Sequence, residues 1–226
     1  MKIKANAYLI FELLMIAAMI GLNIAFLSDH AIETILLKST ASLFFVLAGL
    51  CGYIKNRENR DFSKLMLIGF ICCMIGDIFL ALDSSGILFV LGVASFAGAH
   101  ILYSIAFCKV SPIKKADFPA MAVLLTGLIL ILCIGNFNFK GLFPVLIIYT
   151  VIISFMVIKA LSLRRCRNGE IAGRQFLMTG AVLFLLSDTV LLFWLFGIGM
   201  PKEIQSICWI LYYTAQGCLT AALSSR

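Results

Sequence analysis

Charge is scarce in these 226 residues: 13% of them carry it, against about a quarter in an ordinary soluble domain. With 62% hydrophobic residues and a mean hydropathy of +1.08, a water-soluble globule is excluded, and so is a disordered chain. The formal net charge of +7 does not point to nucleic acid, because the basic residues cluster in short stretches between apolar runs. Histidine is nearly absent. His30 and His100 are the only two, too few for a three-histidine zinc hydrolase. No Cys-x-x-Cys pair and no spaced Cys/His cluster occurs, so no structural metal is expected. The eight cysteines fall mostly inside apolar segments (Cys72, Cys73, Cys108, Cys133, Cys208, Cys218) and read as small core hydrophobes. Proline is limited to Pro112, Pro119, Pro144 and Pro201, all at or near the ends of apolar runs, where it is tolerated. The chain has no Asn-x-Ser/Thr sequon, which suits a bacterial cytoplasmic membrane.

What remains is a series of apolar runs about 20 residues long, the length that crosses a bilayer as a helix. Charge punctuation divides them into eight spans, roughly 6–27, 31–54, 63–82, 86–108, 118–135, 140–163, 174–196 and 202–222. The first begins Met1-Lys2-Ile3-Lys4, like a signal peptide. It runs on to Leu27, contains Glu12 and lacks a small-residue cleavage site, so it reads as a retained helix. With eight spans, fifteen of the 18 Lys and Arg fall on one side, Lys140 and Lys202 on the other, and Lys38 inside span 2. That bias places both termini in the cytoplasm. The expected architecture is all-α: a polytopic membrane helix bundle of eight transmembrane helices, forming a single transmembrane domain over 1–226.

An internal echo accompanies the spans. Span 3 carries Gly69, Gly76, Asp77 and Leu80; span 7 carries Gly180, Ser187, Asp188 and Leu191 at the same spacing. Both spans run outward and lie four apart, as a parallel 4+4 repeat would place them.

An ionised side chain at the bilayer centre costs roughly 2.5–3.5 kcal/mol, so each one in a span needs a reason. Asp77 and Asp188 lie 13 and 14 residues beyond Lys64 and Arg174, which sets them at similar depth. Two carboxyls at one level can share a proton, or divide into an acid and a base. Alternatively, each holds the bundle together through a neighbouring polar group. Span 4 presents Gly92, Phe96, His100, Tyr103 and Phe107 as one stripe, with His100 and Tyr103 as hydrogen-bonding partners for the carboxylates. Tyr212, Tyr213 and Gln216 share about one face of span 8. Lys38 either snorkels outward or meets a phosphate or carboxylate. Glu12 lies near the cytoplasmic end of span 1. Asp29, Asp83 and Asp117 lie at span ends and are expected to be solvated.

In order and spacing, Gly76-Asp77-x-x-Leu80, Gly92-x3-Phe96-x3-His100-x2-Tyr103-x3-Phe107, Gly180-x6-Ser187-Asp188 and Tyr212-Tyr213-x-Ala215-Gln216 resemble the YhhN-like family of integral membrane lysoplasmalogenases. Lys38 fits the pattern too, although Ser39 follows it where the family often has proline. The resemblance implies hydrolysis of the vinyl ether bond of lysoplasmenyl-ethanolamine or -choline, giving a fatty aldehyde and a glycerophospho-alcohol. It also implies Asp77 and Asp188 as the catalytic pair, neither assigned as acid or base, and needs no cofactor and no metal. His100, Tyr103, Ser187, Tyr212, Tyr213 and Gln216 would support them, and Lys38 would meet the head-group phosphate. Phe96, Phe107 and Phe184 would line a groove for the chain. The expected partners are a lysophospholipid substrate and membrane lipids, with no nucleic acid. The alternative is a proton- or cation-coupled carrier using the same carboxylates.

Overall fold

The structure is a computed structural model that describes residues 2–56, 59–83, 85–139, 141–166 and 173–225, with side chains from residue 7 onward. Arg57, Lys140, Arg167 and Arg226, used above to orient the chain, lie outside the described residues.

With no water in a bilayer core, every backbone N–H and C=O must be satisfied within the chain, and an uninterrupted apolar run meets that demand as a helix. Among the described residues eight α-helices result: α1 (Lys2–Leu27), α2 (Ala31–Lys55), α3 (Arg60–Leu82), α4 (Ile87–Val110), α5 (Asp117–Ile134), α6 (Phe143–Ser162), α7 (Arg174–Phe196) and α8 (Glu203–Ser224). A 3-10 turn, Leu163–Arg165, follows α6. Among the described residues there is no strand beyond an isolated bridge between Phe137 and Gly197. Seven of the helices are long and apolar enough to cross a membrane, as in a multi-pass integral membrane protein. The eighth, α8, is less apolar because it carries Gln205, Tyr212, Tyr213, Gln216 and Thr220, nearly all of them turned into the bundle.

Consecutive helices pack as pairs: α1 with α2, α3 with α4 and α7 with α8 most extensively, α5 with α6 less so. The α2–α3 and α6–α7 contacts join these pairs, and the α2–α8 and α4–α6 contacts close the bundle. α1 also lies along α8, whereas α5 makes no comparable contact with α4. Small residues set the closest approach. A Cβ on Gly76 would stand 2.7 Å from the Phe96 ring and 3.1 Å from the Gly92 carbonyl oxygen. Glycine at 76 therefore lets α3 and α4 meet backbone to backbone.

Asp117 departs from expectation. It is 4% exposed, not solvated, because the α4–α5 connection folds it under the end of α6. Oδ2 accepts from Lys159 Nζ at 3.1 Å and from the Lys114 backbone N–H at 3.0 Å. Oδ1 accepts from Ser162 Oγ at 2.9 Å and from Arg165 Nη1 at 2.5 Å. Lys159 is fully buried and also donates to the Pro112 carbonyl. Asp29 and Asp83 do lie outside the bundle. Asp29 pairs with Lys202, while Asp83 accepts from the Ser85 and Gly86 N–H groups, which hold its carboxyl below the usual range.

The Asp117 cluster ties α5, α6 and the following turn together. Removing one member of a buried ion pair strands the other. Asp117→Ala is expected to destabilise the protein by about 3–5 kcal/mol, read as a lowered unfolding temperature in detergent; an unchanged midpoint would show that the cluster carries no stability.

Candidate active site

Two clusters of polar residues lie inside the bundle, one around Asp77 and one around Asp188. Asp77, on α3, is 2% exposed. Its Oδ2 accepts from Tyr212 at 2.6 Å and from Ser42 at 2.7 Å, and its Oδ1 lies 3.4 Å from Lys38 Nζ. The helix periodicity explains the set: Lys38 and Ser42 are one turn apart on α2, and the Ser42 hydroxyl also donates to the Lys38 carbonyl. Tyr213 completes the cluster by donating to that carbonyl at 3.1 Å, with its oxygen 3.3 Å from Ser42 Oγ.

Asp188, on α7, has a different environment. Tyr149 of α6 donates to its Oδ2 at 2.6 Å, and His100 Nε2 of α4 lies 3.2 Å from the same oxygen and 2.9 Å from the tyrosine hydroxyl. Among the described residues, Oδ1 accepts no hydrogen bond. No lysine or arginine among the described residues pairs with this carboxylate, and its side chain is 13% exposed against 3% for Asp77.

That exposure is to a pocket. Between α4, α5, α6 and α7 lies an apolar hollow with a cavity volume of about 90 Å³. Leu128, Leu132, Val145, Leu146, Leu192 and Leu195 are among its walls, and Asp188 and Tyr149 are the polar groups on its inner wall that bond to one another. Phe89 and Phe196, with ring centroids 6.3 Å apart, stand at the end where α4 begins and α7 finishes. The pocket exists because α5 stands away from α4.

The expected residues are thus distributed. Lys38, Asp77, Tyr212 and Tyr213 come together, and His100 joins Asp188. The two carboxylates are not hydrogen-bonded to one another. Phe96, Phe184 and Tyr212 pack edge to face between them, with Phe184 also against His100 at 4.7 Å. Tyr103 instead lies 3.6 Å from Cys73 Sγ. Gln216 is buried beside Cys73, and neither of its polar side-chain atoms makes a regular hydrogen bond. Ser187 donates to the Cys208 carbonyl at 3.1 Å, linking α7 to α8. Lys38 meets a carboxylate, one of the two partners expected of it. Of the expected groove residues only Phe96 lines the pocket; Phe107 and Phe184 are fully buried core. Glu12 is buried apart from both clusters, hydrogen-bonded by Thr220.

A family model for the YhhN family matches residues 33–223. The chain belongs to the YhhN family. No curated protein and no solved structure matches it. The matched stretch of this YhhN protein contains both carboxylate clusters and the pocket, and leaves out only the first helix, the head of α2 and the last residues. No group of three or more His, Cys, Asp or Glu able to hold a metal occurs among the described residues of the YhhN chain.

Sequence reasoning missed Ser42 and Tyr149. A serine in an apolar span carries no signal by itself. Tyr149 had one: it lies 111 residues beyond Lys38, the same step that separates Asp188 from Asp77.

The Asp77 cluster makes a stability forecast. Lys38→Met strands a buried carboxylate and is expected to cost about 3–5 kcal/mol. Lys38→Met/Asp77→Leu removes both charges and is expected to unfold at a higher temperature than the single variant. The reverse order in a thermal melt would mean that the pair is not an ion pair within the fold.

Proposed function

We propose that the protein is a membrane hydrolase that opens the vinyl ether bond of lysoplasmalogens, lysoplasmenyl-ethanolamine or -choline, at Asp188. The observation that carries this reading is a carboxyl group bonded to Tyr149 and beside His100, with no lysine or arginine partner among the described residues, on the wall of an apolar pocket. Family membership supports it.

The reaction is an acid-catalysed hydration and cleavage. Asp188, carrying a proton, transfers it to the β-carbon of the vinyl ether. The carbon–carbon π electrons form the new C–H bond, and the ether oxygen's lone pair spreads the positive charge into an oxocarbenium ion. The Asp188 carboxylate left beside that cation stabilises it, as carboxylates do for the related cation in glycoside hydrolysis. Water then adds to the α-carbon while Asp188 takes up its proton. The hemiacetal loses its hydroxyl proton and expels the glycerol oxygen, which is protonated as it leaves, giving a fatty aldehyde and glycerophospho-ethanolamine or -choline. Tyr149 and His100 hold the carboxyl in place, and the imidazole can relay the proton in the collapse step. In this reading all eight helices cross the membrane as one domain with both termini in the cytoplasm, and the membrane is the bacterial cytoplasmic one.

A second reading, a proton- or cation-coupled carrier, draws support from the two carboxylates in matching positions on α3 and α7. It requires substrate flux into proteoliposomes with no product formed.

Detergent-purified protein given lysoplasmenyl-ethanolamine is expected to release aldehyde, and to release none from the saturated ether or ester analogue. Asp188→Asn is expected to lower kcat by about 10³-fold without loss of fold. A folded, monodisperse sample that releases no aldehyde in detergent or lipid would overturn the hydrolase.

A further inference from the structure

The positional echo between α3 and α7 extends much further in the structure. A step of 111 residues takes Lys38 to Tyr149, Gly69 to Gly180, Gly76 to Ser187 and Asp77 to Asp188; a step of 112 takes Phe96 to Cys208, His100 to Tyr212 and Phe107 to Leu219. The contacts follow these steps. Gly76 faces Phe96, and Ser187 bonds Cys208. Asp77 is held by residues 38 and 212, from α2 and α8; Asp188 is held by residues 149 and 100, from α6 and α4. Exchanging each helix with the one four places on maps α1–α2 onto α5–α6, α2–α3 onto α6–α7, α3–α4 onto α7–α8 and α2–α8 onto α4–α6, all contacts of the bundle.

We infer that the chain is a duplicated four-helix unit in which only the second carboxylate reacts, and that Tyr149, standing where Lys38 stands in the first unit, is the residue that keeps Asp188 reactive. This rests on the hydrolase reading above and assigns its chemistry to one half. Two differences between the halves make the assignment. The first is the partner. A proton placed on Asp77 would leave the Lys38 ammonium without its counter-charge in a low-dielectric interior; Tyr149, an uncharged phenol in the corresponding place, imposes no such penalty on either state of Asp188. The second is access. In the first half α1 packs along α8, with the Phe26 ring 4.9 Å from Trp209, and the hollow that remains between them is lined by Glu12 and Tyr213 but not by Asp77; in the second half α5 stands off α4 and the pocket there is lined by Asp188 itself. Tyr149 acts through Asp188, as a positioning residue.

The test uses the full chain in detergent, each variant checked for monodispersity and helical content. Tyr149→Phe removes one hydrogen bond to the carboxylate and is expected to lower kcat about 10- to 100-fold at unchanged KM. Tyr149→Lys gives the second half the first half's ion pair and is expected to match Asp188→Asn. Asp77→Asn, where folded, is expected to lower kcat less than about tenfold. Asp77→Asn as inactive as Asp188→Asn, or wild-type kcat in Tyr149→Phe, would overturn the inference. A readout without turnover separates it from the hydrolase reading. A hydrophobic carbodiimide, which modifies protonated carboxyls reachable from the apolar phase, is expected to label Asp188 and not Asp77 when mapped by peptide mass spectrometry. Protein that releases no aldehyde yet labels selectively at Asp188 would keep the division between the halves and remove the hydrolase. Label on Asp77 equal to that on Asp188 would overturn the division.

Discussion

A carboxylate inside a membrane protein must be given partners, and the partners available decide what it can do. Asp117, Asp77 and Asp188 are three answers to that constraint. Asp117 receives two cations, a hydroxyl and a backbone N–H, and becomes a clamp between α5 and α6. Asp77 receives one ammonium and two hydroxyls deep in the bundle. Asp188 receives only a phenol and an imidazole and retains an oxygen without a hydrogen bond among the described residues. Geometry alone would make all three look alike, as buried acids with good hydrogen bonds. A lysine or arginine partner, present at Asp117 and Asp77 and absent at Asp188 among the described residues, separates them.

The helix arrangement supplies those partners. Glycine at 76 brings α3 against α4, Ser187 ties α7 to α8, and the aromatic layer of Phe96, Phe184 and Tyr212 keeps the two carboxylate clusters apart. The loose fit of α5 then does what a tight bundle cannot. It leaves an apolar space that has the Asp188 carboxylate in its wall. Under the proposed hydrolase, a membrane-dissolved substrate would need no aqueous cleft, in keeping with a site walled by leucine, valine and phenylalanine.

Much of the fold was legible in the sequence because apolar runs and charge punctuation are one-dimensional signals. The expected spans 31–54, 63–82 and 174–196 differ from α2, α3 and α7 by no more than three residues at either end. Which way a polar residue faces is not such a signal. Asp117 at a span end has the same local hydropathy whether it meets water or Lys159, so its burial could not be read. Tyr149, in the run Ile147-Ile148-Tyr149-Thr150, looks like an ordinary membrane aromatic until α6 is seen against α7. The sequence did mark Asp77, Asp188, His100, Lys38, Tyr212 and Tyr213 as residues needing an explanation, since polar groups in lipid are costly. It could not divide them, because the division depends on which helices touch.

The central claim is that a carboxylic acid protonates carbon. Running the reaction in D2O and trapping the aldehyde at once tests this most directly. One deuterium on the carbon next to the aldehyde group is the result the account predicts. Aldehyde formed without that deuterium would contradict it.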